Sequence, residues 1–398
     1  MSLPVSLSKS IGGIALCLAA LLSPLACAPP SESPPSESPR DGGVERSGSE
    51  GERGGGREEK EVSVAVEEMS VGEMVGQMFV VSVGGTEPDY YVEKMVRERN
   101  IGGVILFGHN MKSEDQVRSL TASLQQLSMR TEPAVPLFVA VDQEGGDIAS
   151  APWVAPQPSA AEVGSRGDPA EAGAVAERIG GDLLRAGVNT NFAPVVDTGF
   201  GAAIGNRSYG EDPGLVSRMG AASVEGFERA GVVSAAKHFP NHGPAVADSH
   251  RALPVVDHDM ETIRSHDLPP FRAAVEAGVP MVMAGHLLYP TVDAERPASL
   301  SPEWMGLLRE DLGFEGIVVT DDLAMAGASG GGTPERAAVR AVEAGADLLI
   351  VSSPPQQQAN AYDAVVAAVE SGRIPDSRIR ASVRRLTEVK KIYGFAPG

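Results

Sequence analysis

Ile317-Val318-Val319-Thr320-Asp321-Asp322, then Thr333-Pro334-Glu335, then Ala344-Gly345, then Leu348-Leu349-Ile350-Val351: in this order the chain writes a strand, a helix start, a helix end and a second strand. The two apolar runs are short and unbroken, as in parallel strands buried on both faces. Thr333 offers a capping hydroxyl before Pro334, which suits the first helical position. Gly345 suits the left-handed residue that closes a helix. This is one β-α-β unit.

The same grammar repeats outward from it. Further apolar runs fall at residues 78–83, 104–107, 137–142, 191–194, 234–239 and 281–284, which makes eight candidate strands with 317–320 and 348–351. Helical stretches lie between or after them at 88–99, 113–129, 169–186, 214–230, 260–277, 302–312, 334–344 and 356–371. Asp168-Pro169-Ala170-Glu171 repeats the start signal, and Ala186-Gly187, Ala230-Gly231 and Ala277-Gly278 repeat the stop. Eight strand–helix units favour a single (β/α)8 barrel over an open doubly wound sheet. No second domain is expected.

Composition narrows the chemistry. The chain has 398 residues, 42% of them hydrophobic, and a net charge of −20 from 53 acidic and 33 basic residues. A nucleic-acid partner is excluded on that balance, because phosphate binding needs clustered Lys and Arg. The two cysteines, Cys17 and Cys27, lie near the N-terminus, so the body of the chain holds neither a disulfide nor a catalytic thiol. Lys9, the apolar run 11–22 and Leu25-Ala26-Cys27 read as an export signal. They resemble a bacterial lipoprotein signal, with Pro24 where a leucine is usual, and imply membrane anchoring through a lipidated Cys27. Residues 28–61 are rich in Pro, Ser, Gly, Glu and Arg, and read as a disordered tether. The expected organisation is therefore a signal at 1–27, a tether at 28–61 and a barrel at 62–398, in a cell-surface or extracellular protein.

In such barrels the chemistry sits at the carboxyl ends of the strands. There the chain places Asp142 and Glu144, Asp197, Lys237 and His238, His286, and Asp321 with Asp322. Asp248 and His250 are two apart on a loop, close enough for the carboxylate to orient the imidazole. Lys237 and His238 read either as donors pointing into the barrel mouth or as core ion pairs with Asp197 or Glu144. His238, His242 and His250 with nearby carboxylates also allow a metal hydrolase as a second reading. Against it, Phe239-Pro240 and Gly243 make the 238–242 segment a turn, not a helix that could present two ligands. No metal or cofactor is expected.

Lys237-His238-Phe239-Pro240-Asn241-His242-Gly243, Asp248-Ser249-His250 and Leu253-Pro254 resemble the bacterial β-N-acetylhexosaminidases of glycoside hydrolase family 3. So do Val141-Asp142-Gln143-Glu144-Gly145-Gly146, Asn191-Phe192-Ala193-Pro194-Val195-Val196-Asp197, Ile204-Gly205-Asn206-Arg207-Ser208-Tyr209 and the segment 307–324. The resemblance runs from about Val71 to Tyr393. It implies an exo-acting retaining hydrolase that removes terminal N-acetylglucosamine from cell-wall or chitin-type glycans. Asp321 would be the nucleophile, His250 the acid/base backed by Asp248, and Asp142, Arg207, Lys237 and His238 would hold the sugar.

The chain departs from the family pattern at three places. Asp147 and Ser150 stand where the family has arginines, the second of which contacts the sugar. Asn241 stands for a glycine, tolerable if that position needs positive φ. Pro244-Ala245 stands for Asp-Thr, which stiffens the loop carrying His250. The alternatives are a β-glucosidase or glycoside phosphorylase of the same family, and a sugar-binding lipoprotein with a decayed site.

Overall fold

The structure, a computed structural model, describes residues 66–329 and 332–395. The expected signal and tether, residues 1–61, lie outside the described residues.

Ten strands are present: β1 Phe79–Ser82, β2 Gly103–Ile105, β3 Phe138–Val141, β4 Gln143–Gly145, β5 Ile148–Ala149, β6 Thr190–Asn191, β7 Val233–Phe239, β8 Met281–Ala284, β9 Ile317–Thr320 and β10 Leu349–Val351. Eight of them form one parallel sheet in the order β10-β1-β2-β3-β6-β7-β8-β9. The ends of that order meet. Val319 bridges Leu348 in parallel, and the Thr320 N–H donates to the Leu348 carbonyl at 2.9 Å, so the sheet closes into a barrel. The (β/α)8 expectation holds, and each barrel strand overlaps one of the eight expected runs.

The fourth run differs in extent. The ladder stops at Asn191, short of the expected 194, because Pro194 has no N–H to donate. Pairing resumes at Val195, opposite Lys237, and the Val196 N–H donates to the Lys237 carbonyl at 2.8 Å. This detour lifts Asp197 onto the rim of the barrel.

Two expected helices are interrupted by wide π turns, Ile263–Asp267 before Pro269–Glu276 and Leu307–Asp311 after Pro302–Gly306. In the first case Pro269 and Pro270 remove two backbone donors, and Leu268 bonds back to Ile263 at 2.9 Å. The bulge directs Asp267 inward, where it is fully buried. Among the helices that went unread in the sequence are three longer ones, Val71–Gln77, Ala160–Arg166 and Asp376–Ile392. The first two carry Ser-x-x-Glu capping boxes, Ser70 with Glu73 and Ser159 with Glu162, which are legible signals. The third shows its buried stripe as Ile379, Val383, Leu386 and Val389. The β4–β5 hairpin is also new. Its turn needs Gly145 and Gly146, at φ 96° and 55°.

Candidate active site at the barrel mouth

Asp321 follows β9 directly. Its N–H donates to the Ala284 carbonyl of β8 at 3.0 Å, and its Oδ1 accepts from the Asp322 N–H at 2.8 Å. Burial pushes its pKa up. His286, His238, the Asp322 N–H and Lys237 outweigh that and hold the carboxyl at about 2. Asp321 is thus an ionised carboxylate with an oxygen that no described residue binds. Asp322 is different. It accepts from the Ala324 N–H and the Ser352 N–H at 3.0 Å each, and from the Ser352 hydroxyl. It caps the turn after β9 and ties it to β10.

Asp142, Lys237, Glu144 and Arg207 form one chain of alternating charge. Lys237, from β7, is 2% exposed and places Nζ 2.6 Å from Asp142 Oδ1 and 2.7 Å from Glu144 Oε1. Arg207 reaches back from the loop after β6 and donates to both Glu144 oxygens at 2.8 Å, a bidentate pair. Burial alone would raise the Glu144 pKa, but Lys237 and Arg207 bring it down to about 2. Asp142, at the end of β3, keeps 31% of its side chain exposed and is the member that faces the mouth.

His238 completes this cluster. Its Nδ1 lies 2.7 Å from Asp197 Oδ2, and its Nε2 lies 3.4 Å from Arg207 Nη2. The two readings of Lys237 and His238 were therefore not exclusive: Lys237 pairs with Asp142 and Glu144, His238 with Asp197, and both contacts form at the barrel mouth. All four expected sugar-holding residues are brought together.

The expected acid/base pair, Asp248 and His250, sits on the loop after β7. His250 Nδ1 lies 2.8 Å from Asp248 Oδ1, which also accepts the His250 N–H at 2.9 Å. The ring is 68% exposed, and Asp248 is its sole hydrogen-bond partner among the described residues. What locates the pair is Ser249 between them. Its hydroxyl meets His242 Nε2 at 3.0 Å, and its carbonyl accepts the Gly327 N–H at 3.0 Å. Gly327 stands just beyond Asp321-Asp322, so one residue pins the loop to both the β7 and the β9 sides of the mouth.

The pairing of Asp197 with His238 was one of the two readings above; its hold on the backbone, and the place of His242, are what sequence reasoning missed. Asp197 is fully buried, and its Oδ1 accepts the backbone N–H groups of His238 at 3.1 Å and His242 at 2.6 Å. Burial favours its neutral form, but His238 and His242 lower its pKa below the usual carboxylate value. His242 Nδ1 is buried without a partner among the described residues. Among the described residues no three His, Cys, Asp or Glu side chains are grouped so as to hold a metal ion.

Asn241 corrects the positive-φ expectation. Its φ is not left-handed; among the described non-glycine residues only Asn100 is. Asn241 is fully buried instead. Its Oδ1 accepts from the Thr198 and Gly243 N–H groups at 3.0 Å each. Its Nδ2 donates to Thr198 Oγ1 at 2.6 Å and Asp267 Oδ1 at 2.8 Å. A glycine could make none of these side-chain bonds. At the other departure, Asp147 accepts from Asn206 Nδ2 at 2.8 Å, tying the β4–β5 hairpin to the turn that carries Arg207.

A barrel whose mouth holds an ionised carboxylate with a free oxygen, together with a carboxylate-backed imidazole, is equipped for nucleophilic and acid/base chemistry. Residues 70–389 match the glycosyl hydrolase family 3 N terminal domain, and the chain belongs to that family. It is 36% identical to β-hexosaminidase A of Pseudoalteromonas piscicida over 75% of this chain and 54% of that protein. It is likewise 36% identical to a β-hexosaminidase of Stenotrophomonas maltophilia strain K279a, over 70% of this chain and 84% of the other. The chain thus spans about half the length of the first relative and most of the second. Among solved structures it resembles a glycoside hydrolase family 3 β-N-acetylglucosaminidase from Paenibacillus sp. str. FPU-7. The TM-score is 0.79 and the identity 41%, covering 82% of this chain and 63% of that one.

Proposed function

We propose that the chain is an exo-acting retaining β-N-acetylhexosaminidase that releases terminal N-acetylglucosamine from cell-wall or chitin-type oligosaccharides. The observation that carries this reading is Asp321, ionised at the barrel mouth and with an oxygen left free. Its relatives named above are β-hexosaminidases and a β-N-acetylglucosaminidase, which fits the same substrate.

In the first step Asp321 attacks the anomeric carbon as the glycosidic bond breaks. His250 gives its proton to the departing oxygen, leaving a glycosyl ester on Asp321. In the second step His250 takes a proton from water, whose oxygen attacks the same carbon and frees Asp321. The two inversions retain configuration. A histidine suits both roles because an imidazole changes charge near neutral pH, and Asp248 holds the ring's orientation through Nδ1. Asp142, Arg207, Lys237 and His238 hold the terminal sugar, with Asp142 accepting from its hydroxyls.

Hydrolysis of para-nitrophenyl N-acetyl-β-glucosaminide, against the matching β-glucoside, tests the reading in wild type and Asp321→Ala. Turnover of the first substrate that vanishes in the variant is expected. Preference for the glucoside would replace it with the β-glucosidase reading. No turnover of either by folded protein would leave a sugar-binding protein. Export and anchoring through Cys27 are proposed on the sequence around Lys9 and Cys27. Labelling with a radioactive fatty acid that persists in Cys27→Ser would reject the anchor.

A further inference from the structure

Among the described residues seven large apolar side chains are exposed, and three of them, Phe200, Val246 and Val255, lie on loops around the mouth. Phe200 is 50% exposed and Val246 88%. Val246 precedes Asp248 by two residues. Val255 pairs with Leu288 beyond β8, at the far end of the same loop. Nothing in the charged cluster accounts for an apolar rim here.

The Phe200 loop is locked to the acid/base loop by backbone contact. The Gly201 N–H donates to the Gly243 carbonyl at 2.8 Å. A Cβ on Gly243 would lie 1.8 Å from the Thr198 carbonyl oxygen, and one on Gly201 would lie 2.3 Å from the Gly243 oxygen. Only glycine permits that approach on either side. Phe200 and Val246 therefore hold a fixed relation across one seam, on the rim that carries His250.

We propose that Phe200, with Val246 beside it, binds the first sugar ring of the leaving group, the ring whose oxygen His250 protonates. This rests on the hydrolase reading above. That ring must lie against the acid/base loop for the proton to reach its oxygen. A β-linked pyranose with equatorial hydroxyls presents flat faces of C–H groups. An exposed phenyl ring gains by covering such a face, since apolar surface leaves water on both sides. The terminal sugar instead meets Asp142, Lys237 and Arg207, which read hydroxyls by direction. The site thus reads the terminal sugar by hydrogen bonds and the leaving sugar by shape, and tolerates different substituents on the latter.

The test compares kcat/KM for di-N-acetylchitobiose, whose leaving group is a sugar ring, with that for methyl N-acetyl-β-glucosaminide, whose leaving group has none. Phe200→Ala should lower the disaccharide value by about tenfold, chiefly through KM, and leave the methyl glycoside within about twofold. Phe200→Trp should keep both. An equal loss on the two substrates, or no loss on the disaccharide, overturns the proposal while the hydrolase reading stands. A wild-type protein inactive on both overturns the hydrolase reading and this proposal with it.

Discussion

Asp321 and Asp347 stand at opposite ends of neighbouring strands. Asp321 follows β9 at the mouth, and Asp347 precedes β10 at the base. Asp347 is fully buried and saturated. Its Oδ2 meets Arg309 Nη2 at 2.5 Å and the Val318 N–H at 3.0 Å. Its Oδ1 meets Ser382 Oγ at 2.6 Å, Arg385 Nη1 at 3.2 Å and Arg378 Nη1 at 3.5 Å. The Asp321 carboxylate accepts one hydrogen bond, from the Asp322 N–H, and has no ion pair among the described residues. It is kept charged by imidazoles and a lysine at a distance. A carboxylate that holds a fold has every lone pair occupied; one that must form a bond keeps an oxygen open.

The sharpest way to break that contrast is to delete each in turn. Asp321→Ala should lower kcat by roughly ten-thousandfold or more while leaving the melting temperature at or above that of wild type. Asp347→Ala should destabilise the fold by about 3 to 5 kcal/mol, because three arginines lose a shared buried partner. Thermal melts and steady-state rates on both variants decide it; a destabilised Asp321→Ala would erase the distinction. Next in size, His250→Ala should lower kcat by about a hundredfold to a thousandfold for a methyl glycoside, and by much less for a nitrophenyl one, which needs no proton to leave. Equal losses on the two would remove His250 as the acid.

The two ends should respond to pH in the same direction, stability rising with pH, but in separate windows. At the mouth Glu144 sits at about 2, below its ordinary 4.5. A depressed carboxylate contributes stability that is complete above pH 4.5 and lost as pH falls through about 2, roughly 3 kcal/mol for this group. At the base Lys390, buried beneath the barrel against the Phe138 ring, is pushed down to about 7 from 10.5 by burial. Its cost is full below pH 7 and disappears as pH rises to 10.5, so stability climbs over that window. Melting curves across pH should show the acid loss flatten in Glu144→Gln and the alkaline rise flatten in Lys390→Met. The smallest effect is expected at Ser249→Ala: a fall in kcat of about fivefold to tenfold with KM unchanged, restored by Ser249→Thr. A change in KM alone would assign Ser249 to sugar binding instead of to holding His250.

The barrel was legible because its signals are local. Each strand is a compact apolar run, and each Ala-Gly stop carries its instruction in two residues. Gly187, Gly231, Gly278 and Gly345 indeed adopt φ of 75°, 75°, 81° and 127°. The charged residues at strand ends could be read once the barrel was inferred, since the fold fixes which end faces the mouth. The links between loops were legible only in part: Asp197 could be offered as a partner for the His238 ring, but not as the acceptor of two backbone N–H groups. Asp197 organises His238 and His242 from another strand, and Ser249 is clamped by residues on either side of it in the barrel. Such bonds join positions far apart in the chain, and no period or spacing announces them. Asn241 shows the hazard directly. Judged by its own backbone preference it looked like a tolerated glycine substitute; judged by its four side-chain bonds it is the stitch between two loops.

The row Asp142, Lys237, Glu144 and Arg207 has a consequence for the molecule as a whole. Minus, plus, minus and plus sum to nothing, so within a protein of formal charge −20 this row adds no net charge to the entrance, and the uncompensated charge beside it is the Asp321 carboxylate. Long-range attraction therefore has no part in drawing the ligand in, and dissolved salt has little to screen. A neutral sugar is met by ions already balanced among themselves. An anionic polymer drifting past finds a repelling exterior and no compensating well at the entrance. Selection against charged bystanders is thus written into the bulk of the protein, and the entrance itself is left free to count hydroxyls.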